Sequence, residues 1–417
     1  MNICFFITNV YPYRTGEEFI ESEIQYLSRI FEKVYILSIS GKLSDTVRNV
    51  PKNVIVFPLN ISNSFFKYVY SLIVGLFVKT IYHNKITKPF RIKKLLFSLY
   101  FKGRSIIIER KIKKTIKNKK ICLENKEIII YSYWLSAQSL AAVLLKKDLF
   151  DKGFKVHAFS RAHGFDLYSY RNKLNYSPYR NSILMNLDYI YPCSKNGTIY
   201  LQNDYPIYRE KIKCQYLGTQ DYGLNPINLN NKEFEIITCS NIIPLKRLDL
   251  LVKILSSLTT RKVNYHWTCI GDGSSLVSIK KLCKKEKIEN FVSFLGRKNP
   301  NEIKNLYLKK PFDLFINISE YEGLPVSIME AYSFGIPCLA SNVGGTSEIV
   351  QDTLFLFDVN DSIKNIAERI IWYKKLSVDK KNIFRKECRK QWEIKYSANK
   401  NYESFYKQIE QVIEKEK

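Results

Sequence analysis

Two acidic residues in one stretch of the chain, Glu322 and Glu330, have side chains suited to binding hydroxyl groups. Seven residues separate them. Carboxylates accept hydrogen bonds from vicinal hydroxyl pairs, such as those of ribose or a hexose. Between them, Pro325 is placed to begin a helix, whose first backbone N–H groups favour an anion such as a diphosphate. The pattern predicts a ligand that carries both hydroxyl pairs and phosphate groups.

The surrounding residues predict a strand, a loop, a helix and a second strand. Residues 312–318 form an apolar run typical of a buried strand, and a polar loop follows at 319–323. Residues 326–334 predict a short helix that ends at Gly335, and 336–340 predict the next strand. We expect a parallel sheet in which both acids face one crevice at the carboxyl ends of the strands, where such sheets bind ligands.

Glycines and prolines recur at fixed places around the two acids: Gly323-Leu324-Pro325, Gly335-Ile336-Pro337 and Gly344-Gly345 ahead of Glu348. This pattern resembles the donor-site signature of family-4 retaining glycosyltransferases of the GT-B fold. The resemblance implies that Glu330 holds the ribose of a nucleotide diphosphate sugar and that Glu322 contacts the transferred sugar. It implies that backbone around Gly323 and Leu324 also reaches the sugar, while Gly344 and Gly345 offer backbone N–H groups before the next helix. The alternative is a solvated helix with two surface glutamates.

A second polar cluster, Arg161, His163 and Asp166, follows a predicted strand at 154–159, and His163 is one of only four histidines. A histidine after a strand is more often structural, but three polar side chains in one strand-end loop favour a functional role. The loop resembles the family's Arg-Ala-His-Gly-x-Asp segment, which places the His beside the transferred sugar. His163 and Glu322 are therefore the candidate catalytic residues. Asp166 alternatively caps or orients the loop.

Adjacent cations, Lys246 and Arg247, stand where a predicted loop turns into a helix. Positive charge at a helix N-terminus is unfavourable unless an anion is bound there. In the resembled family, an Arg and a Lys five residues apart grip the donor phosphates. Lys246 matches that Lys, whereas Asn241 stands at the Arg position and Arg247 is a candidate substitute. Two exposed basic residues remain the alternative.

Two further candidate contacts lie at other predicted strand ends. Gly16 follows the first predicted strand, residues 2–8, with Thr15 and Glu18 at capping-box spacing. The resemblance implies that this loop approaches the donor phosphate. Arg297 follows a predicted strand at 292–295, where the resemblance places the nucleotide base.

We expect neither a metal nor a cofactor. The chain has no Asp-x-Asp motif with which to clamp a metal-bound diphosphate, and its nine cysteines are scattered without a Cys-x-x-Cys pair. This cysteine pattern favours reduced thiols in the cytoplasm. The co-substrate implied by the resemblance is a nucleotide diphosphate sugar, UDP-linked rather than GDP-linked. Retention of the anomeric configuration, by internal return without a covalent intermediate, is implied in the same way. Attack by Glu322 as a nucleophile is the alternative.

The length of 417 residues predicts two large domains. We expect an α/β fold with two Rossmann-like domains facing across a cleft, as in GT-B enzymes. The predicted domains are 1–220 on the acceptor side and 221–385 for the nucleotide sugar. Residues 386–417 are predicted to form helices that return to the first domain.

The net charge of +27 is concentrated in residues 64–120, which hold 16 Lys and Arg against one acid, Glu109. Aromatic and aliphatic residues alternate with these cations, a pattern typical of a surface that lies on anionic lipid. Nucleic-acid binding and a general lysine-rich bias are the alternatives, and nucleic acid is the partner we do not expect. The longest apolar stretch, residues 68–78, is too short to span a bilayer. With no signal peptide recognised, we expect a cytoplasmic protein, peripheral on the inner face of the cell membrane.

Together these features predict transfer of a hexose-type sugar from a nucleotide diphosphate sugar to a lipid-linked or cell-surface polysaccharide acceptor. Two alternatives remain. One is a non-catalytic protein on the same fold that binds anionic lipid or nucleic acid. The other is a nucleotide-sugar epimerase or a phosphorylase.

Overall fold

A computed structural model of the chain describes residues 2–13, 16–42, 44–45, 47–61, 64–79, 84, 90–228 and 233–414. Thr15, one half of the predicted capping box, lies outside the described residues. Its partner Glu18 accepts a hydrogen bond from the Gly16 backbone N–H at 2.8 Å, and the first helix begins at Ile20. Lys85 and Lys88 of the basic segment also lie outside the described residues.

The chain divides into two compact units, Met1–Tyr216 with Tyr402–Lys417, and Leu217–Asn401. The first unit contains six strands: β1 Asn2–Thr8, β2 Lys33–Ser38, β3 Val54–Pro58, β4 Glu127–Ser132, β5 Lys155–Ala162 and β6 Tyr189–Pro192. Its helices are α1 Ile20–Ile30, α2 Phe65–Phe77, α3 Arg91–Asn118, α4 Ala137–Asp151, α5 Gly164–Leu167, α6 Arg180–Asn186 and α7 Lys195–Asp204. All strands of this sheet run parallel, in the order β3-β2-β1-β4-β5-β6.

The second unit repeats this plan. Its strands are β7 Phe234–Cys239, β8 Tyr265–Ile270, β9 Val292–Gly296, β10 Leu314–Asn317, β11 Cys338–Ser341 and β12 Leu356–Phe357. Its helices are α8 Leu248–Thr260, α9 Leu276–Lys285, α10 Pro300–Lys309, α11 Val326–Ser333, α12 Thr346–Ile349, α13 Ile363–Lys375 and α14 Val378–Lys395. The strands are again parallel, in the order β12-β11-β10-β7-β8-β9. The expectation of an α/β fold with two Rossmann-like units is thus confirmed.

Strand composition explains the central position of these sheets. β4, for example, reads Glu-Ile-Ile-Ile-Tyr-Ser and is buried along its whole length. Continuous apolar runs of this kind suit parallel strands, which are covered by helices on both faces. In each unit the strand order reverses once, between β1 and β4 and between β10 and β7, which opens a crevice at the carboxyl ends of those strands.

The last helix, α15 Ala398–Glu414, carries the chain back into the first unit. There the Tyr406 hydroxyl donates to Glu23 Oε1 at 2.8 Å, and the Tyr402 ring lies 5.5 Å from that of Tyr26. The return begins at Tyr402 rather than at residue 386, because α14 packs against α11 of the second unit. The first boundary likewise falls at Leu217, four residues before the predicted one.

Candidate functional site

The strongest contact among the predicted site residues joins Lys246 to Glu322. The Lys246 Nζ donates to Glu322 Oε1 at 2.6 Å, and Asn317 Nδ2 donates to the same oxygen at 3.2 Å. Lys246 follows β7 and Glu322 follows β10, so the pair lies at the point where the strand order of the second sheet reverses. Both side chains are mostly buried, with 19% and 11% of their surface exposed. The charge of Lys246 is therefore compensated within the protein, which corrects the expectation that an anion alone would balance it.

The loop that carries Glu322 is held by a glycine loop from the next strand. A Cβ atom on Gly344 would lie well under 3.0 Å from the Glu322 backbone oxygen, and Gly344 has a φ of +54°. The Gly345 N–H donates to the Gly323 carbonyl at 2.8 Å. The predicted free amide of Gly345 is thus already bonded. Leu324, in the same loop as Glu322, is buried. These residues fix the backbone conformation around Glu322.

Glu330 lies one turn into α11 and is half-buried. Burial, with an added contribution from the nearby Glu330 carboxylate, raises the pKa of the Cys239 thiol. Cys239 is the last residue of β7. Glu330 is therefore near the same reversal point of the sheet as Lys246 and Glu322.

A second cation approaches this edge from β9. The Arg297 Nη2 donates to Asn241 Oδ1 at 3.4 Å, and Arg297 is exposed. Arg247 instead donates from Nη1 to the Val359 carbonyl at 2.7 Å, from a backbone in the left-handed region with φ +50°. The structure thus brings Arg297, rather than Arg247, to Asn241.

The turn after β8 supports the loop that carries Asn241. A Cβ atom on Gly271 or on Gly273 would approach the Ser240 or Ile242 carbonyl to well under 3.0 Å. The Ile242 N–H also donates to the Asp272 carbonyl at 2.9 Å. These two glycines allow close backbone packing, which holds the loop after β7 in place.

His163 occupies an aromatic environment in the first unit. Its ring centroid lies 4.6 Å from Trp134, 4.9 Å from Tyr133 and 5.9 Å from Phe19. The side chain is 8% exposed, and its Nε2 has no hydrogen-bond partner among the described residues. Burial, with an added effect of the Arg161 charge, lowers the pKa of His163 to about 3. A neutral imidazole with an unsatisfied buried nitrogen is suited to hydrogen-bonding a ligand hydroxyl.

Asp166 orients the loop in which His163 lies. Its Oδ1 accepts from the His163 backbone N–H at 2.7 Å, and its Oδ2 accepts from the Leu135 N–H at 2.6 Å. Burial raises the pKa of Asp166 to about 6, although the two backbone bonds oppose the shift. Both carboxylate oxygens are used internally, which agrees with the alternative role of Asp166 as a loop cap.

Arg161 belongs to the interior of the first unit. It is fully buried, with Nη2 lying 3.1 Å from Glu23 Oε1. Its Nε donates to the Tyr131 hydroxyl at 2.8 Å and its Nη1 to the Gln215 carbonyl at 2.6 Å. Because Tyr406 also donates to Glu23, this network joins the last helix to the sheet. Arg161 is thus a structural residue of the first unit rather than a ligand contact. Its charge acts on the site by lowering the pKa of His163.

Gly16 is exposed at the end of a loop that Glu17, a residue sequence reasoning missed, holds in place. The Glu17 carboxylate accepts from the backbone N–H groups of residues 9–11 at 3.0, 2.7 and 2.7 Å. It also accepts from Trp134 Nε1. Trp134 thereby links the Gly16 loop to His163 at the reversal point of the first sheet. The sequence could not predict that Glu17 holds this loop, because an acid beside a loop glycine is not a distinctive pattern.

Among the described residues, no group of three or more His, Cys, Asp or Glu side chains is arranged to hold a metal ion. The prediction that neither metal nor cofactor is needed stays a prediction. None of the helices in the described ranges is both long and apolar enough to cross a membrane.

Comparison with known proteins gives a match within the second unit. Residues 224–391 match the family model of the glycosyl transferases group 1. The O-antigen biosynthesis glycosyltransferase WbnH of Escherichia coli is 33% identical over 162 residues, which is 34% of this chain and 46% of WbnH. The match thus spans about half the length of that curated relative.

Solved structures match the whole chain. Sucrose-phosphate synthase of Thermosynechococcus elongatus has a TM-score of 0.72 at 13% identity and covers 99% of both chains. HepE of Anabaena, solved in complex with UDP, has a TM-score of 0.64 at 14% identity and covers 99% of this chain and 100% of HepE. At these identities the likeness shows the fold. Residues 224–391 are therefore similar to the glycosyl transferases group 1, and the chain has the two-unit α/β fold of GT-B glycosyltransferases.

Proposed function

We propose that this protein transfers a hexose-type sugar from a nucleotide diphosphate sugar to a lipid-linked or cell-surface polysaccharide acceptor, with retention of configuration. The observation that carries the proposal is the Lys246–Glu322 pair at the reversal point of the second sheet. It places a cation and a carboxylate together where parallel sheets bind nucleotides. The family match over residues 224–391 covers the same stretch.

In this proposal, Lys246 and Arg297 bind the donor diphosphate. A lysine ammonium has three N–H donors, and Glu322 Oε1 takes one of them, so two remain for phosphate oxygens. Arg297 is exposed beside Asn241 and can supply a second cation. Glu330 accepts the ribose hydroxyls. UDP is the preferred leaving group, in keeping with the UDP bound in HepE.

The reaction breaks the bond between the sugar C1 and the diphosphate oxygen, and a bond from the acceptor oxygen to C1 forms on the same face. The acceptor hydroxyl proton passes to the departing diphosphate oxygen, so no enzyme base is consumed. Negative charge that develops on the diphosphate is stabilised by Lys246 and Arg297. Neither a metal nor a cofactor is required in this scheme.

Glu322 orients the sugar rather than attacking it. Lys246 and Asn317 both donate to its Oε1, which holds the carboxylate in place and lowers its reactivity as a nucleophile. The neutral His163 donates or accepts one hydrogen bond at a sugar hydroxyl through Nε2, since this buried nitrogen has no partner among the described residues. In this proposal Glu322 positions the donor for attack on one face.

The test is donor consumption, with NMR detection of the sugar product. Purified protein is incubated with UDP-α-glucose, UDP-α-galactose or UDP-α-N-acetylglucosamine, with water or a cell-envelope extract as acceptor. We expect UDP release from one donor and a product whose first-formed anomer is α. A β anomer would contradict retention, and no consumption of any sugar nucleotide would contradict the transfer itself. The same assay is applied to Glu322→Ala. Its matched control is Glu320→Ala, because Glu320 lies in the same loop and is exposed.

A further inference from the structure

Helix α2 exposes a continuous apolar surface, rather than the single apolar residues that are common on protein surfaces. Lys67 is the only charged residue among its thirteen, and only Ser71, Val74 and Gly75 are buried. Its large exposed side chains are Phe65, Phe66, Tyr68, Val69, Tyr70, Ile73, Leu76 and Phe77. Phe66 and Phe77 are 83% and 75% exposed. A contiguous apolar patch of this kind marks an interaction surface.

The two helices α2 and α3 form a hairpin whose backbones touch. A Cβ atom on Gly75 would lie well under 3.0 Å from the Leu99 carbonyl oxygen. A Cβ atom on Gly103 would lie equally close to the Ser71 carbonyl oxygen. Small residues at a helix crossing let the backbones approach, as in membrane proteins. Because α2 uses its small residues for this contact, most of its large side chains remain exposed. Tyr68 also packs on α3, with its ring 4.7 Å from that of Tyr100.

Helix α3 anchors the hairpin to the first unit. Its later residues Phe101, Ile108 and Ile112 belong to the hydrophobic core. Its first turns differ, since Ile92 and Leu95 are exposed there. The apolar surface of α2 thus continues onto the start of α3, while one face of the later part of α3 packs into the core.

Positive charge surrounds the apolar surface. Lys67, Lys79, Arg91 and Lys93 are all exposed at its margins. Residues 64–120 carry 16 Lys and Arg against one acid. A second copy of this chain would bring the same positive charge to the contact, which opposes self-association. An anionic lipid surface offers both the opposite charge and an apolar interior.

We propose that the α2–α3 hairpin docks on an anionic lipid bilayer, with the exposed face of α2 inserted at the headgroup–acyl boundary and the flanking lysines among the headgroups. A helix of thirteen residues is about 20 Å long, too short to span the bilayer and suited to lying in its interface. The proposal does not depend on the sugar-transfer reaction, because lipid binding is measured without a sugar nucleotide.

The full-length protein is co-sedimented with phosphatidylcholine vesicles that contain or lack phosphatidylglycerol. We expect binding only to the anionic vesicles, and weaker binding at high salt. The paired change Phe66→Ser and Phe77→Ser should weaken binding by about tenfold or more, because it removes two inserted rings. Phe150→Ser is the matched control and should bind as the wild type does, since Phe150 is 68% exposed on α4, outside the hairpin.

A single change, Phe77→Trp, reports insertion directly, because the hairpin contains no tryptophan. We expect the added fluorescence to shift to the blue on anionic vesicles and to be quenched by brominated acyl chains. Binding without quenching would overturn insertion, and no binding to anionic vesicles would overturn the proposal. A dimer in solution that the Phe66→Ser and Phe77→Ser pair dissociates would assign this face to a second copy instead.

Discussion

Substituting Gly344 by alanine should destabilise the second unit and weaken donor binding together. Gly344 has a φ of +54°, and an added Cβ would meet the Glu322 carbonyl oxygen well under 3.0 Å away. The left-handed conformation costs an alanine about 1–2 kcal/mol. Moving the Glu322 loop by about 1 Å to relieve the clash adds about 1–3 kcal/mol, the usual range for overpacking. We therefore expect a loss of about 2–5 kcal/mol in the free energy of unfolding.

Gly296→Ala separates the two contributions to this loss. Gly296 has a φ of +68°, and an added Cβ there meets nothing within 4 Å. This substitution should lower the free energy of unfolding by only about 1–2 kcal/mol, which is the cost of the left-handed conformation for an alanine. Urea unfolding of both variants gives the difference, and titration with UDP measures the effect on the Glu322 loop. Equal losses in the two variants, with unchanged UDP affinity for Gly344→Ala, would refute the claim that the glycine loop holds Glu322 in place.

Three further predictions concern charge. Arg297→Ala should weaken UDP binding by about tenfold, because one charge-assisted hydrogen bond is lost, while the control Lys298→Ala should change it little. Calorimetric titration measures the UDP affinity of both variants. Equal effects would contradict a phosphate-binding role for Arg297. The pKa of His163 is about 3 in the folded protein, below its ordinary 6.5. Below pH 6.5 the unfolded chain therefore binds a proton here that the folded protein does not, and the free energy of unfolding falls as the pH falls. His163→Gln should therefore gain about 2 kcal/mol relative to wild type between pH 7 and pH 5 in urea unfolding, and a pH-independent difference would contradict this. Chelation with EDTA should leave sugar transfer unchanged, and loss of turnover restored by a divalent ion would contradict metal independence.

Local patterns in the sequence predicted the elements around the site closely. The first strand was expected at residues 2–8 and spans Asn2–Thr8, and the helix expected at 326–334 spans Val326–Ser333. Such elements are set by neighbouring residues: a continuous apolar run for the strand, and Pro325 and Gly335 at the two ends of the helix. The sheet rule then placed the loops after β7 and β10 at one edge.

Contacts between distant residues could not be predicted from these patterns. The Lys246–Glu322 pair depends on β7 and β10 being neighbours, although 76 positions separate the two residues. Arg161 looked like a site residue because it stands near His163 in sequence. Its charge is instead balanced by Glu23, 138 positions away, inside the first unit. Arg161 lies within β5, which is buried at every position after Lys155, and the strand-end loop begins only two residues later.

The most direct test of the account is thermal stabilisation by a panel of UDP-, GDP- and ADP-sugars, applied to the wild type and to Glu330→Ala. A ligand at 100 times its dissociation constant stabilises the protein by about 2.7 kcal/mol, which is readily seen as a rise in Tm. The account predicts a rise with a UDP-sugar that Glu330→Ala abolishes and that the control Glu320→Ala retains. No rise with any sugar nucleotide, or a rise that Glu330→Ala leaves intact, would contradict the donor site assigned to the second unit.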